Sequence, residues 1–155
     1  MYKRILVAID ATPTEENRSA LKRTEQIGLL TGGTVYVLHV ARGHIVPGDI
    51  IGGAGLGVRS AEEDFEGADR QAVQALVDRL SAAGVDAHGE MVSATEHDVA
   101  SVILQRAKEL DVDLLVLGHQ HHRGAGNAFR SSVADWIIHH HPPFSILLAR
   151  PPRGR

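Results

Sequence analysis

Three stretches of the chain are apolar runs of strand length with almost no polar interruption: residues 5–9 (ILVAI), 35–40 (VYVLHV) and 114–117 (LLVL), the last closed by Gly118. Continuous rather than alternating apolar runs mark strands that are covered on both faces. A fourth run, Phe144 to Ala149, closes the pattern, and residues 86–93 alternate weakly, as an edge strand does. Between these runs the apolar spacing changes to the helical three-to-four repeat. Leu21, Thr24, Ile27 and Gly28 share one face of a first helix, with Thr12-Pro13-Thr14-Glu15 as its start, Thr12 as N-cap and Gly32-Gly33 as its stop. Phe65, Ala68, Ala72, Leu76, Leu80 and Ala83 form the face of a second helix, opened by Ser60 and closed by Gly84. Val99, Ile103, Ala107 and Leu110 form the face of a third, capped by Thr95. Val133, Ile137 and Ile138 belong to a short fourth helix, started at Ser131 and ended by Pro142-Pro143.

The resulting order is βαβαβαβαβ. Strict alternation predicts an α/β fold with a parallel sheet, helices on both faces and right-handed crossovers. Residues 1–150 form one domain, without an internal repeat or a dividing linker, and residues 151–155 are expected to be a disordered tail. The Gly-rich stretch 42–59 is expected to be a long mobile loop.

Charge and composition narrow the function. The 155 residues carry a formal net charge of −3 with histidines neutral, and aromatics are 4%. Nucleic-acid binding needs a basic footprint, which a mildly acidic chain does not supply. No apolar run is long enough for a signal-peptide core or a membrane span, so a soluble, cytoplasmic protein is expected, with no membrane partner. The absence of cysteine excludes disulfides, zinc ribbons and thiol nucleophiles.

In a doubly wound sheet, ligands bind beyond the carboxyl ends of the strands, where the winding reverses. Two strand ends carry suitable residues: Asp10-Ala11-Thr12 after the first strand, and Gly118 with the polar loop leading to Ser131-Ser132 after the fourth. A helix start offers unpaired N–H groups to an anion. Ser131 and Ser132 either contact such an anion or cap their own helix, and spacing alone favours capping.

Four segments together resemble the universal stress protein family: residues 3–10 (KRILVAID), residues 37–40 (VLHV), residues 113–118 (DLLVLG) leading into Ser132-Val133, and residues 138–148 (IHHHPPFSILL). The resemblance runs through nearly the whole chain in the right order. It implies a five-stranded parallel sheet of order 3-2-1-4-5 in a three-layer α/β/α sandwich, and a homodimer paired through the last strand, Phe144 to Ala149. An apolar edge strand needs a partner or a cover, which makes this pairing physically reasonable.

Many members of that family hold ATP with the pattern Gly-x2-Gly-x9-Gly-Ser/Thr after the fourth strand. The glycines let backbone amides close on the phosphates. Counted from Gly118, this chain has His121 and Ser131 in place of the second and third glycines, with Ser132 in the hydroxyl position. The loop is similar to that of the universal stress protein A branch, which is regarded as not binding ATP. The resemblance therefore implies a non-enzymatic binding and signalling module with a degraded nucleotide site, no resident cofactor and a protein partner that the sequence does not name. The alternative is a nucleotide-dependent switch that holds ATP with Mg²⁺. In that case the resemblance places Asp10 and Thr12 by the ribose and phosphates, Val40 by the adenine, and Gly118, Gln120, Ser132 and Val133 along the phosphates, with His121 and Ser131 as the departures.

Other chemistry is weaker. Ten histidines include His119, His121 and His122 in one loop and His139-His140-His141 before Pro142. Adjacent histidines in a loop seldom converge on one ion and no acidic partner follows, so no metal site is expected. His39, on a buried strand, is expected to be a hydrogen-bonded core residue. No P-loop motif and no Gly-x-Ser-x-Gly elbow occur. Asp10 has no second carboxylate for acid–base work, and no catalytic residue is assigned.

Overall fold

The computed structural model describes residues 1–9, 14–42, 61–94, 98–118 and 131–152. In chain order they form β1 (Arg4–Ile9), α1 (Glu15–Thr31), β2 (Thr34–Arg42), α2 (Ala61–Ala82), β3 (Ala87–Ala94), α3 (Val99–Glu109), β4 (Leu114–Gly118), α4 (Ser131–His139) and β5 (Ser145–Ala149). The five strands make one sheet of order β3-β2-β1-β4-β5 in which every neighbouring pair is parallel. This is the expected doubly wound fold.

The unbroken apolar runs follow from this arrangement. Successive strand side chains point to opposite faces, so a sheet covered on both faces needs apolar residues at every position. Ile5, Val7 and Ile9 of β1, with Leu114 and Val116 of β4, pack into one core with α1 and α2. Leu6 of β1, with Leu115 and Leu117 of β4, packs into a second core with α3 and α4. β1 and β4 lie inside the sheet, and their side chains from Ile5 to Val7 and from Leu114 to Val116 are almost completely buried.

Asp113 fastens the start of β4 to the start of β1. Its carboxylate accepts hydrogen bonds from the backbone N–H of Lys3 (2.7 Å) and of Arg4 (2.8 Å), and its own N–H donates to the Arg4 carbonyl. These backbone donors hold the Asp113 carboxyl below its ordinary pKa. At the β3 edge, Arg106 of α3 reaches Glu90 at 2.6 Å and also pairs with Glu109. The hydrogen bonds that Arg106 donates to Glu90 and then to Glu109 raise its pKa.

Four local expectations need correction. The N-cap of α1 is Thr14, whose hydroxyl accepts from the Asn17 N–H at 3.2 Å, and the helix begins at Glu15. Thr12 and Pro13, proposed for that role, lie outside the described residues. Thr14 has the extended backbone (φ −88°, ψ 161°) and the three-residue spacing to an amide that an N-cap requires.

The buried stripe of α2 is Val73, Val77 and Leu80 with Leu76 beside it, while Ala68 and Ala83 are exposed. The valines take the core face, about one residue round the helix from Ala72, because they bury more apolar area. They also fit against Gly89 of β3, where an added β-carbon would stand 2.9 Å from methyl groups of both Val73 and Val77. Third, the N-cap of α3 is Asp98 and the helix begins at Val99; its expected face of Val99, Ile103, Ala107 and Leu110 does pack against the core, joined by Ala100 and Leu104. Thr95 and Ser60, read as caps, lie outside the described residues. Fourth, α4 starts with Ser131 already helical, and Ile138 faces out while Ile137 is fully buried. The loop 43–59, the end of the tail and the histidines 119, 121 and 122 also lie outside the described residues.

Candidate functional site

The sheet winds outward in both directions from the pair β1 and β4, so the crevice of a doubly wound fold lies beyond Ile9 and Gly118. The chain reaches this place from β1 and β4 and leaves it through the first turns of α1 and α4. Of the residues assigned to a nucleotide, Val40, Gly118, Ser131, Ser132 and Val133 belong to described elements. Asp10, Thr12, Gln120 and His121 lie outside the described residues.

Gly118 ends β4 directly under the first turn of α1. A β-carbon there would stand 3.0 Å from the Glu16 carbonyl oxygen and 3.1 Å from the Glu16 carbonyl carbon and β-carbon. The space a side chain would need is therefore filled by another part of the fold. Close packing of α1 on β4 is by itself sufficient reason for glycine at this position, whatever the loop beyond it holds.

Val40, near the end of β2, is only 6% exposed and packs into the α3–α4 core with Leu38. Val133, in the first turn of α4, is half-buried against the same core. Ser131 and Ser132 are the first two residues of α4, which puts their backbone N–H groups among those that have no acceptor within the helix. The frame of a switch-point crevice is thus present.

His39 holds one wall of this crevice together. It is 5% exposed and pairs in register with Ile9, the last residue of β1. Its Nδ1 lies 3.1 Å from the Ile9 carbonyl oxygen and its Nε2 lies 3.0 Å from Oδ2 of Asp69 on α2. A backbone carbonyl only accepts, so Nδ1–H donates to it. That leaves Nε2 as the ring atom facing the Asp69 carboxylate. One imidazole thereby joins the end of β1, the end of β2 and the second helix. The buried, hydrogen-bonded role expected for His39 is observed.

Asp69 is the residue the sequence reading missed. Asp69 lies four residues before Val73, on the stripe that α2 turns to the core, which the periodicity placed one residue away.

Among the described residues, no group of three or more histidine, aspartate or glutamate side chains is placed to hold a metal ion. Also among the described residues, no helix is long and apolar enough to cross a membrane. His139 and His140 direct Nδ1 to the carbonyls of Asp135 and Trp136 one turn back, at 2.6 and 2.7 Å, at the end of α4. His140 also stacks on Trp136 with ring centroids 3.6 Å apart.

A family model described as the universal stress protein family matches residues 1–144. No curated protein matches the chain in sequence. Among solved structures, a universal stress protein family member from Burkholderia pseudomallei superposes with a TM-score of 0.72 at 21% identity, covering 97% of each chain. The universal stress protein from Archaeoglobus fulgidus in complex with dAMP gives 0.64 at 19% identity, covering 96% of this chain and 98% of that one. A universal stress protein family protein from Arabidopsis thaliana with AMP bound gives 0.63 at 19% identity, covering 97% and 93%. At these identities the superpositions establish the fold.

Proposed function

The chain belongs to the universal stress protein family, and from that membership we propose that it acts as a non-enzymatic, dimeric binding and signalling module of the stress response whose nucleotide site has been lost. The observation that carries this reading is the pair His121 and Ser131, which stand where the family's ATP-binding pattern has its second and third glycines. A β-carbon at each position keeps main-chain amides from wrapping a triphosphate. Ser131 is moreover the first residue of α4 and so is committed to helical backbone. The one glycine retained, Gly118, is accounted for by the close approach of the Glu16 backbone, independently of any nucleotide.

The proposed dimer pairs β5 with its copy in a second chain. β5 is an edge of the sheet, and Ile146, Leu147 and Leu148 are only half-buried. An apolar edge with unpaired backbone groups is a template for another strand. The module would work in the cytoplasm through contacts with a protein partner.

One observation favours a second reading, an ATP-binding switch: structural relatives are known with AMP and dAMP bound. The two readings separate on the purified protein. Denaturing it and chromatographing the supernatant should release no adenine nucleotide. Release of nearly one nucleotide per chain would favour the switch.

A further inference from the structure

The outward face of α1 and the segment that follows β5 form an open groove of about 310 Å³ whose walls include none of Val40, Gly118, Ser131, Ser132 and Val133. Its walls include Glu15, Arg18, Lys22, Arg23 and Gln26 from α1 and Arg150 from beyond β5. The α1 residues recur at helical spacing over three turns, so they project from one face. Four of the chain's 16 Lys and Arg residues meet here, in a protein of net charge −3. Of these four, only Arg18 is neutralised, by Glu15 at 2.6 Å. Arg23 donates to the side-chain oxygen Oε1 of Gln26 at 3.0 Å, which steadies its guanidinium without cancelling its charge. Lys22, Arg23 and Arg150 form no ion pair with a described carboxylate.

We infer that this groove is a binding site for a small molecule carrying two or more phosphate groups. Three uncompensated cations held around one concavity raise the local potential, and an arginine fork matches phosphate oxygens two at a time. The volume is that of a small-ligand site, which favours a compact polyanion over an extended acidic chain.

The test is calorimetric titration of the full chain with sodium pyrophosphate in 0.15 M NaCl, with backbone amide shifts followed by NMR. Saturable binding to one site is expected, with shifts confined to residues 15–26 and to Ala149 and Arg150. Lys22→Gln and Arg150→Gln should each weaken binding about tenfold, the loss of roughly one charge-assisted contact. Glu15→Gln should strengthen it by removing the only carboxylate among the described residues of the groove wall. All three side chains are exposed, and circular dichroism would verify that the variants fold. Absence of saturation would overturn the inference, as would shifts centred on Gly118 and Val133, or variants that bind like the native chain. Equal binding of a hexaglutamate peptide would also overturn it, by making the groove a dock for acidic segments.

Discussion

Gly118 and Glu16 are in contact across the carboxyl end of the sheet, so close that a β-carbon on Gly118 would stand 3.0 Å from the Glu16 carbonyl oxygen. The contact involves helix backbone, which cannot swing aside as a side chain can. Gly118→Ala should therefore destabilise the fold by about 1–3 kcal/mol, the usual range for overpacking. Urea denaturation would measure it as a lower midpoint at unchanged slope. An unchanged midpoint would show that α1 yields at this point.

The His39–Asp69 pair makes a second prediction. His39→Leu removes the donor to the Ile9 carbonyl and leaves the Asp69 carboxylate without its ring partner. The expected cost is about 1–3 kcal/mol, since a half-buried acceptor loses its hydrogen bond. Asp69→Asn should cost less, because the side-chain amide can still hydrogen-bond the ring at Nε2. A double-mutant cycle should give a coupling of about 1 kcal/mol or more; strict additivity would mean that the pair does not tie α2 to the sheet.

Asp113 predicts a pH dependence. Its folded pKa is depressed by the Arg4 and then the Lys3 backbone hydrogen bonds. A carboxyl with a depressed folded pKa stabilises the fold above its unfolded pKa, and that stability is lost as pH falls through the folded value. Asp113 is exposed, so solvent screening keeps the effect near about 1 kcal/mol. Asp113→Asn should lower stability at pH 7 and converge with the native protein in strong acid. Parallel stability curves down to pH 2 would contradict this.

The proposed edge pairing predicts concentration-dependent protection. Amide exchange in Ser145–Ala149 should slow as the protein is concentrated from nanomolar to micromolar, while β3, at the opposite edge, should not change. Sedimentation over the same range should show the mass doubling. A monomer throughout would remove β5 as an interface.

The features legible in the sequence are those set by local chemistry repeated over many residues. The continuous runs at Ile5–Ile9 and at Leu114–Leu117 required two covered faces, and β1 and β4 lie inside the sheet with a helical core packed on each face. Caps were less legible: Thr12 and Thr14 both precede the first helix, and only the backbone geometry at Thr14 selects it. The α2 stripe was misplaced by one position because alanine and valine both count as apolar in a periodicity. What separates them is contact with Gly89 on a strand that pairs only in three dimensions. Asp69 was missed for the same reason, since its partner lies thirty residues away. Of the candidate site, the sequence identified the strand ends and the retained Gly118. It could not reveal that the space beside Gly118 is already taken by α1.

The central claim is that side chains at positions 121 and 131 close the nucleotide site. The direct measurement is titration with ATP and Mg²⁺ of the native chain beside a His121→Gly, Ser131→Gly double variant. The account predicts no saturable binding to the native chain and a gain of affinity of at least tenfold in the variant. Tight binding of ATP to the native chain, unchanged by the two glycines, would contradict it.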